Sequence, residues 1–196
     1  CGWGQVRYDQ VDESEADGSS DVRVRGRPRW TVTLVPPQKL RQGAEAQKWE
    51  SMMLGLKGKT NVLAAYDPVR PQPASGTWAN GTVSVDVPAG NSFFYFSSPG
   101  TAPGTQISIG DKIQIGTGFG TSELVRVTAN ATLAIAHDVG VNFDPPLRNS
   151  YVVGAVVTLV KPVAYFGSTG DRVSWSYDRT GLMVKGYSFS GLERWR

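Results

Sequence analysis

The chain has 196 residues, of which 40% are apolar and 19% charged, and its formal net charge is +3. This length accommodates one or two domains with a hydrophobic core, and the mild charge does not by itself require a nucleic-acid partner. The single cysteine excludes an internal disulfide and a zinc site built from several cysteines. No apolar run approaches the ~20 residues of a membrane-spanning helix, so we expect no membrane segment.

The first predicted strand runs from Val22 to Leu34, where apolar residues alternate with arginines. Successive side chains of a strand point to opposite faces, so the arginines are predicted to share one face. They are Arg23, Arg25, Arg27 and Arg29. Gly26 and Pro28 indicate an edge strand, a bulge or two strand pieces.

An acidic loop is predicted before this strand. It contains Asp12, Glu13, Glu15, Asp17 and Asp21. Three interpretations of the arginine face stay open. It is a solvated surface neutralised by the acidic loop, an interface with another copy of the chain or another ring, or, less favoured because a lasting grip on phosphates would hinder passage, a lumen surface that contacts passing DNA.

One segment predicts a helix, over about residues 39–57, that flanks the β-structure. It lacks proline and places Trp49, Met53 and Leu56 near helical spacing. Gly58 is expected to end the helix. A short strand over residues 61–66 follows.

Beyond a proline-containing loop at 69–76, short β runs alternate with glycine and proline turns. This pattern is typical of a sandwich or barrel. The runs are 82–87, 92–96, 106–115, 124–129, 132–136, 152–159, 164–166, 173–177 and 182–189. Because the first zone alone has too few strands for a stable sheet, the last strands are expected to complete it. We predict a mainly β fold, with residues 1–74 and 160–196 in one β-domain and residues 75–159 in an inserted second one.

Aromatic residues cluster at Phe93-Phe94-Tyr95-Phe96, with Trp78 upstream. Adjacent aromatics in a strand occupy both faces, so one face is expected to be core and the other a contact surface, with the alternative that the aromatics serve only the core. The candidate exposed residues are Trp78, Phe94 and Phe96. Trp195, between two arginines near the end of the chain, is a further candidate for docking on a partner.

Catalytic arrangements are hard to build from this sequence. The single histidine, His137, precedes Asp138, but the residues that follow offer no further metal ligand, so we interpret it as a turn residue at a strand end. Gly58-Lys59-Thr60 fails as a phosphate loop because Met53 stands where the motif needs glycine. We predict no catalytic residue, no metal and no cofactor.

Four segments, taken in order, resemble a known family. They are Arg29–Leu34, the helix with Trp49 and Leu56 before a strand ending in Asp67-Pro68, the turn Ile109-Gly110-Asp111-Lys112-Ile113, and Pro145-Pro146-Leu147-Arg148 followed by Gly154 and Ala164-Tyr165-Phe166. Together they span most of residues 25–190. The chain thereby resembles the distal tail or tail-tip hub ring (minor tail) proteins of long-tailed bacteriophages.

The resemblance implies a structural virion protein and not an enzyme. It implies a tail-tube-like β-sandwich or barrel with one flanking helix and an inserted small β-domain. Such proteins usually form a ring of six copies that joins the tail tube to the hub or receptor-binding proteins and leaves a channel for passing DNA. The candidate interface residues are Arg23, Arg25, Arg27, Arg29, Asp12, Glu13, Glu15 and Trp195.

Two other functions are considered. A carbohydrate-binding β-sandwich would use Trp78 and the aromatics from Phe93 to Phe96. A hydrolase would need a pair of carboxylates that meet only in space, and nothing in the sequence singles out such a pair.

Overall fold

A computed structural model describes residues 2–13, 20–35, 40–41, 43–57, 60–134, 136–169, 176–177, 183–185 and 188–194. Over these residues the fold is mainly β with one helix, which confirms the predicted fold class. The strands are β1 (Gly2–Glu13), β2 (Ser20–Leu34), β3 (Leu40–Arg41), β4 (Val62–Tyr66), β5 (Gly81–Val83), β6 (Phe93–Ser97), β7 (Gln106–Ile107), β8 (Lys112–Ile115), β9 (Glu123–Val127), β10 (Ala131–Thr132), β11 (Asp138–Asp144), β12 (Val156–Thr158), β13 (Val163–Ser168), β14 (Ser176–Tyr177), β15 (Met183–Lys185) and β16 (Phe189–Glu193). The helix is α1 (Ala44–Gly55).

The chain divides into two compact units. Residues 1–64 and 165–194 form the first, and Ala65–Ala164 forms the second. The boundaries predicted at 74/75 and 159/160 therefore lie inside the second unit. The loop after β4 belongs there because the Ala74 N–H donates to Asp111 Oδ1 at 3.0 Å and the Lys161 N–H donates to the Pro71 carbonyl at 2.5 Å.

A closed barrel forms the second unit, with the strand order β11-β6-β5-β12-β8-β9 and antiparallel pairing throughout. Side chains fill its interior, as in other small barrels. Trp78 packs on Phe96, Phe96 on Phe94, and Phe94 on Phe143, with ring centroids 6.2, 5.5 and 5.5 Å apart. A short pair, β7 and β10, accompanies the barrel.

The first unit is built on a five-stranded sheet with the order β1-β2-β16-β13-β4. Its buried face carries Trp30, Val32, Phe166 and Phe189. Trp3 contacts both Trp30 and Phe166 edge to face, with centroid distances of 6.3 and 5.3 Å. A second, three-stranded sheet has the order β14-β15-β3.

The helix is shorter than the predicted 39–57. Its first predicted turn is replaced by β3, which pairs with β15. At the other end, Asn61 closes the helix: its side-chain amide donates to the Gly55 carbonyl at 2.7 Å, and its backbone N–H donates to the Leu56 carbonyl at 3.1 Å. The predicted stop at Gly58 lies outside the described residues.

Strands β1 and β11 lie outside every predicted strand, and β16 meets the predicted run 182–189 only at Phe189. The predicted runs 82–87 and 152–159 extend past β5 and β12, and the run 106–115 contains two strands. β1 includes Asp12 and Glu13, and β2 includes Asp21, although all three belong to the predicted acidic loop. No predicted strand covers β11, because its glycine and two aspartates mask the alternation of Val139, Val141 and Phe143, all buried. The run 106–115 is broken into β7 and β8 by a turn in which the Asp111 carboxylate accepts the Ser108 N–H at 2.8 Å.

Candidate interaction surfaces

The β1–β2 hairpin is the longest pairing in the first unit. Its register runs from Gly2 opposite Thr33 to Glu13 opposite Ser20. Strand β16 pairs with β2 only over residues 31–34. The pairing of β1 with β2 therefore continues along β2 to Ser20, beyond the residues that pair with β16. We call the part beyond β16, residues 6–13 and 20–29, the hairpin arm, and at ~3.3 Å per residue it is about 25 Å long.

Register shifts interrupt the arm where the sequence indicated irregularity. Val6 lies opposite Arg29, Tyr8 opposite Gly26, and Asp9 opposite Val24, so β2 carries an extra residue in each interval. Of the alternatives that Gly26 and Pro28 left open, an edge strand, a bulge or two strand pieces, the register shifts correspond to bulges. The prediction that the four arginines share one face depends on strict alternation, and the two bulges interrupt that alternation between Arg29 and Arg23.

The arm brings several predicted interface residues onto one element. Asp12, Glu13, Arg23, Arg25, Arg27 and Arg29 all belong to its two strands. Arg27 is exposed and Arg29 is half-buried, whereas the side chains of the other four, all of Glu15 and all of Trp195 lie outside the described part. Asp12 and Glu13 are strand residues and not loop residues, because they continue the ladder opposite Asp21 and Ser20.

A buried carboxylate sits where the arm leaves the sheet. Glu193 in β16 is 5% exposed, and its Oε2 accepts the Trp30 backbone N–H at 3.2 Å. Backbone pairing between β16 and β2 ends at Thr31, and the Glu193 carboxylate accepts the next N–H of β2, that of Trp30. Sequence reasoning passed over Glu193, although it shares strand parity with Gly191 and Phe189, which are also buried.

The three aromatic residues predicted to be exposed are buried in the structure. Trp78, Phe94 and Phe96 are 2%, 2% and 0% exposed and belong to the barrel core. Phe96 faces inward because it pairs with Val83 on one side and Val139 on the other, both buried. Trp78 is anchored as well, since its indole N–H donates to the Ser75 carbonyl at 2.9 Å.

The outward aromatics of β6 are Phe93 and Tyr95, 37% and 47% exposed. Their rings meet edge to face at 4.8 Å with an interplanar angle of 89°. Both lie over Gly140 of β11, where an added Cβ would be 2.7 Å from Phe93 Cζ and 2.8 Å from Tyr95 Cε1. We call these two rings the aromatic corner. The missing side chain of Gly140 creates the space in which the corner sits.

The buried Glu123 of β9 fastens the Pro145–Tyr151 segment to the barrel. Its carboxylate accepts the backbone N–H groups of Arg148 and Asn149, each at 2.7 Å, and the Tyr151 hydroxyl at 3.2 Å. Burial and the neighbouring negative charge of Glu123 raise the pKa of the Tyr151 hydroxyl. Tyr151 therefore remains a donor. Sequence reasoning missed Glu123, although it shares parity with the buried Val125 and Val127.

Asp67 forms a second largely buried ion pair, with Lys112 of β8. Burial by itself would raise the pKa of Asp67, but hydrogen bonds from Lys112 and from the Val69 N–H hold it below the ordinary 3.8. Asp67 and Lys112 both belong to the second unit, where the pair joins the segment after β4 to β8.

His137 lies in the turn before β11, as predicted. It has a φ of 64°, and its Nδ1 lies 3.1 Å from the Thr101 carbonyl oxygen. Over the described ranges, no three His, Cys, Asp or Glu side chains come close enough together to hold a metal ion. The described helix, with 12 residues, is too short to cross a membrane.

Comparison with known protein families and with curated protein sequences found no match to this chain.

Proposed function

We propose that this protein is a structural subunit of a phage tail. It forms an oligomeric ring at the end of the tail tube and joins the tube to the tail-tip or receptor-binding proteins, with a channel for DNA. The observation that carries the proposal is the hairpin arm, in which β1 and β2 remain paired as far as Glu13 and Ser20, past residues 31–34 of β2 that pair with β16.

An isolated two-stranded ribbon is marginally stable in water, and an open strand edge is a template for pairing with another chain. An arm about 25 Å long gains stability when a neighbouring subunit packs on it or adds a strand to it. A closed ring supplies such a neighbour to every copy, because each copy presents the same surface to the next.

Charge along the arm supports contact between copies. The segment from Asp9 to Asp21 contains six acidic residues and no basic one, while four arginines follow at residues 23–29. Asp12 lies opposite Asp21 in the hairpin register. Like charges in this position destabilise an isolated pair of strands, and the arginine segment of another copy would offset that repulsion.

The test is to shorten the arm and measure assembly. Replacing residues 7–28 with an Asn-Gly turn keeps Trp3, Trp30 and the pairing of β2 with β16. We expect the full chain to form rings visible by electron microscopy and native mass spectrometry, and the shortened chain to remain monomeric. Thermal unfolding of both chains serves as the control for folding. Rings of undiminished yield from the shortened chain, or a full chain that stays monomeric at every concentration, would contradict the proposal.

A further inference from the structure

The aromatic corner lies on a wall of the barrel whose outward positions form two neighbouring rows. Phe93, Tyr95 and Ser97 make one row on β6, and Asp138, Gly140 and Asn142 make the other on β11. In register, Tyr95 faces Gly140 and Phe93 faces Asn142. The wall therefore has apolar rings at its centre and polar side chains at both ends.

The rings are held in place before any partner arrives. Their edge-to-face contact and the close approach of both to Gly140 restrict their rotamers. A binding surface whose side chains are already fixed loses less conformational entropy on association. Because the two ring planes are perpendicular, the surface is angled and not flat. It therefore suits a ligand that can contact one ring with its face and the other with its edge.

Hydrogen-bonding groups flank the corner on each side. Asp138 and Asn142 are both exposed, and they lie about 13 Å apart along the strand. Asp138 is oriented by Ser84, whose hydroxyl donates to Oδ1 at 2.7 Å. Ser84 is tied to the corner in turn, because its N–H donates to the Tyr95 carbonyl at 3.0 Å. A carboxylate and an amide so placed accept and donate to neighbouring hydroxyl groups.

The charge of this wall argues against a polyanion. Strands β6 and β11 contain Asp138 and Asp144 and no lysine or arginine. Nucleic acids and sulfated or phosphorylated polymers need basic contacts to neutralise their charge. A neutral ligand with apolar C–H faces and hydroxyl groups can pack the faces on the rings and bond the hydroxyl groups to the polar side chains.

We propose that the aromatic corner, with Asp138 and Asn142, is a binding site for neutral saccharides longer than one sugar ring. The C–H face of one sugar packs on the ring of Tyr95 or Phe93, and hydroxyl groups on either side bond to the two polar side chains. This site differs from the aromatic surface predicted from the sequence, because Trp78, Phe94 and Phe96 have no part in it. It is also independent of the proposed ring.

The experiment titrates the full chain with glucose, galactose, N-acetylglucosamine and β-linked trisaccharides of each, followed by NMR chemical shifts and calorimetry. We expect saturable binding of at least one trisaccharide, stronger than that of its monosaccharide. Tyr95→Ala should weaken this binding at least tenfold. Gly140→Ala should weaken it too, because its Cβ displaces both rings while leaving them in the chain.

Tyr66→Ala is the matched control. Tyr66 is 36% exposed and belongs to β4, outside the corner. Its removal should change the affinity less than twofold, and thermal unfolding should show every variant folded. Four results would each overturn the proposal. They are no saturable binding across the panel, binding that survives Tyr95→Ala, tighter binding of sulfated than of neutral trisaccharides, and self-association that Tyr95→Ala abolishes.

Discussion

Glu123 and Arg148 are joined both through the backbone and through the side chains. Glu123 Oε2 accepts the Arg148 backbone N–H at 2.7 Å and its guanidinium Nε at 3.2 Å, and Arg148 Nη2 donates to the Ser122 carbonyl at 3.2 Å. The Glu123 side chain is 3% exposed. One buried acid thus joins the segment that begins with Pro145-Pro146 to β9, in addition to the backbone hydrogen bonds that Leu147 and Tyr151 make with residues 87–91.

We therefore expect Glu123→Ala to destabilise the barrel by about 3–5 kcal/mol, because it leaves buried donors without an acceptor. Glu123→Gln retains one acceptor oxygen and should cost about 1–3 kcal/mol. Urea unfolding measures both. Thr128→Ala, at an exposed position just after the same strand, should stay within about 0.5 kcal/mol of the wild type. An alanine variant as stable as this control would show that the carboxylate is not needed.

Lowering the pH should remove the contribution of Asp67 to the free energy of unfolding. Its folded-state pKa lies below 3.8, so folding favours the ionised form. The resulting stability is fully present above pH 3.8 and is lost as the pH falls below that value through the folded-state pKa. Asp67→Asn keeps an oxygen for the Val69 N–H but loses the ion pair with Lys112.

The difference in unfolding free energy between wild type and Asp67→Asn isolates this group from the other carboxylates. We expect the difference to be constant from pH 7 to pH 5 and to shrink below pH 3.8. Urea unfolding across this range measures it. A difference that does not change with pH would mean that Asp67 has the same pKa in the folded and unfolded chains.

Two glycines with similar backbones should respond differently to alanine. Gly116 and Gly154 have φ values of 78° and 87°, a region that costs other residues about 1–2 kcal/mol. A Cβ on Gly116 would also overlap the Thr121 carbonyl oxygen and lie 2.8 Å from Tyr151 Cε1, whereas nothing lies within 4 Å of a Cβ on Gly154.

Gly116→Ala should therefore be more destabilising than Gly154→Ala by about 1–3 kcal/mol, the usual cost of overpacking. Thermal or urea unfolding of the two variants gives this difference directly. Equal losses would show that the turn after β8 relaxes without resistance from Tyr151.

Reversing charge on the hairpin arm should weaken assembly. We expect Arg25→Glu combined with Arg27→Glu to lower the association constant at least tenfold while each monomer remains folded. Added salt should weaken wild-type association as well, because exposed charges are screened. Analytical ultracentrifugation at low and high salt measures both effects.

Lys48→Glu combined with Lys57→Glu is the control, since it changes the net charge equally at two exposed positions outside the arm. This variant should assemble as the wild type does. If the arginine variant also assembles normally, the arginines form only a solvated surface.

Much of the β-structure was predictable because turn residues and alternation are local properties. Strands β2, β4, β6 and β9 lie within one or two residues of their predicted ends. β11 is not predictable in this way because Gly140 interrupts its alternation of apolar residues. That glycine leaves room for the rings of Phe93 and Tyr95, which extend over it from β6. The helix was overextended because the pairing of β3 with β15, far along the chain, overrides local helical spacing.

The candidate sites depended more on pairing than on composition. The sequence of the run Phe93–Phe96 indicates that alternate residues are buried, but it does not show which pair. Phe94 and Phe96 are the buried pair because Phe96 lies between the buried Val83 and Val139 in the sheet. Glu123 meets Arg148 across 25 residues of chain, so their contact exists only once the barrel closes.

The amino-acid sequence by itself determined the mainly β fold class, an irregularity in the arginine strand and the absence of a membrane-spanning apolar run, since each follows from neighbours along the chain. Only the tertiary structure decided which aromatics face water, which acids are buried and how far the hairpin extends past its sheet. Those properties arise from strand partners distant in sequence, whose register no local pattern encodes.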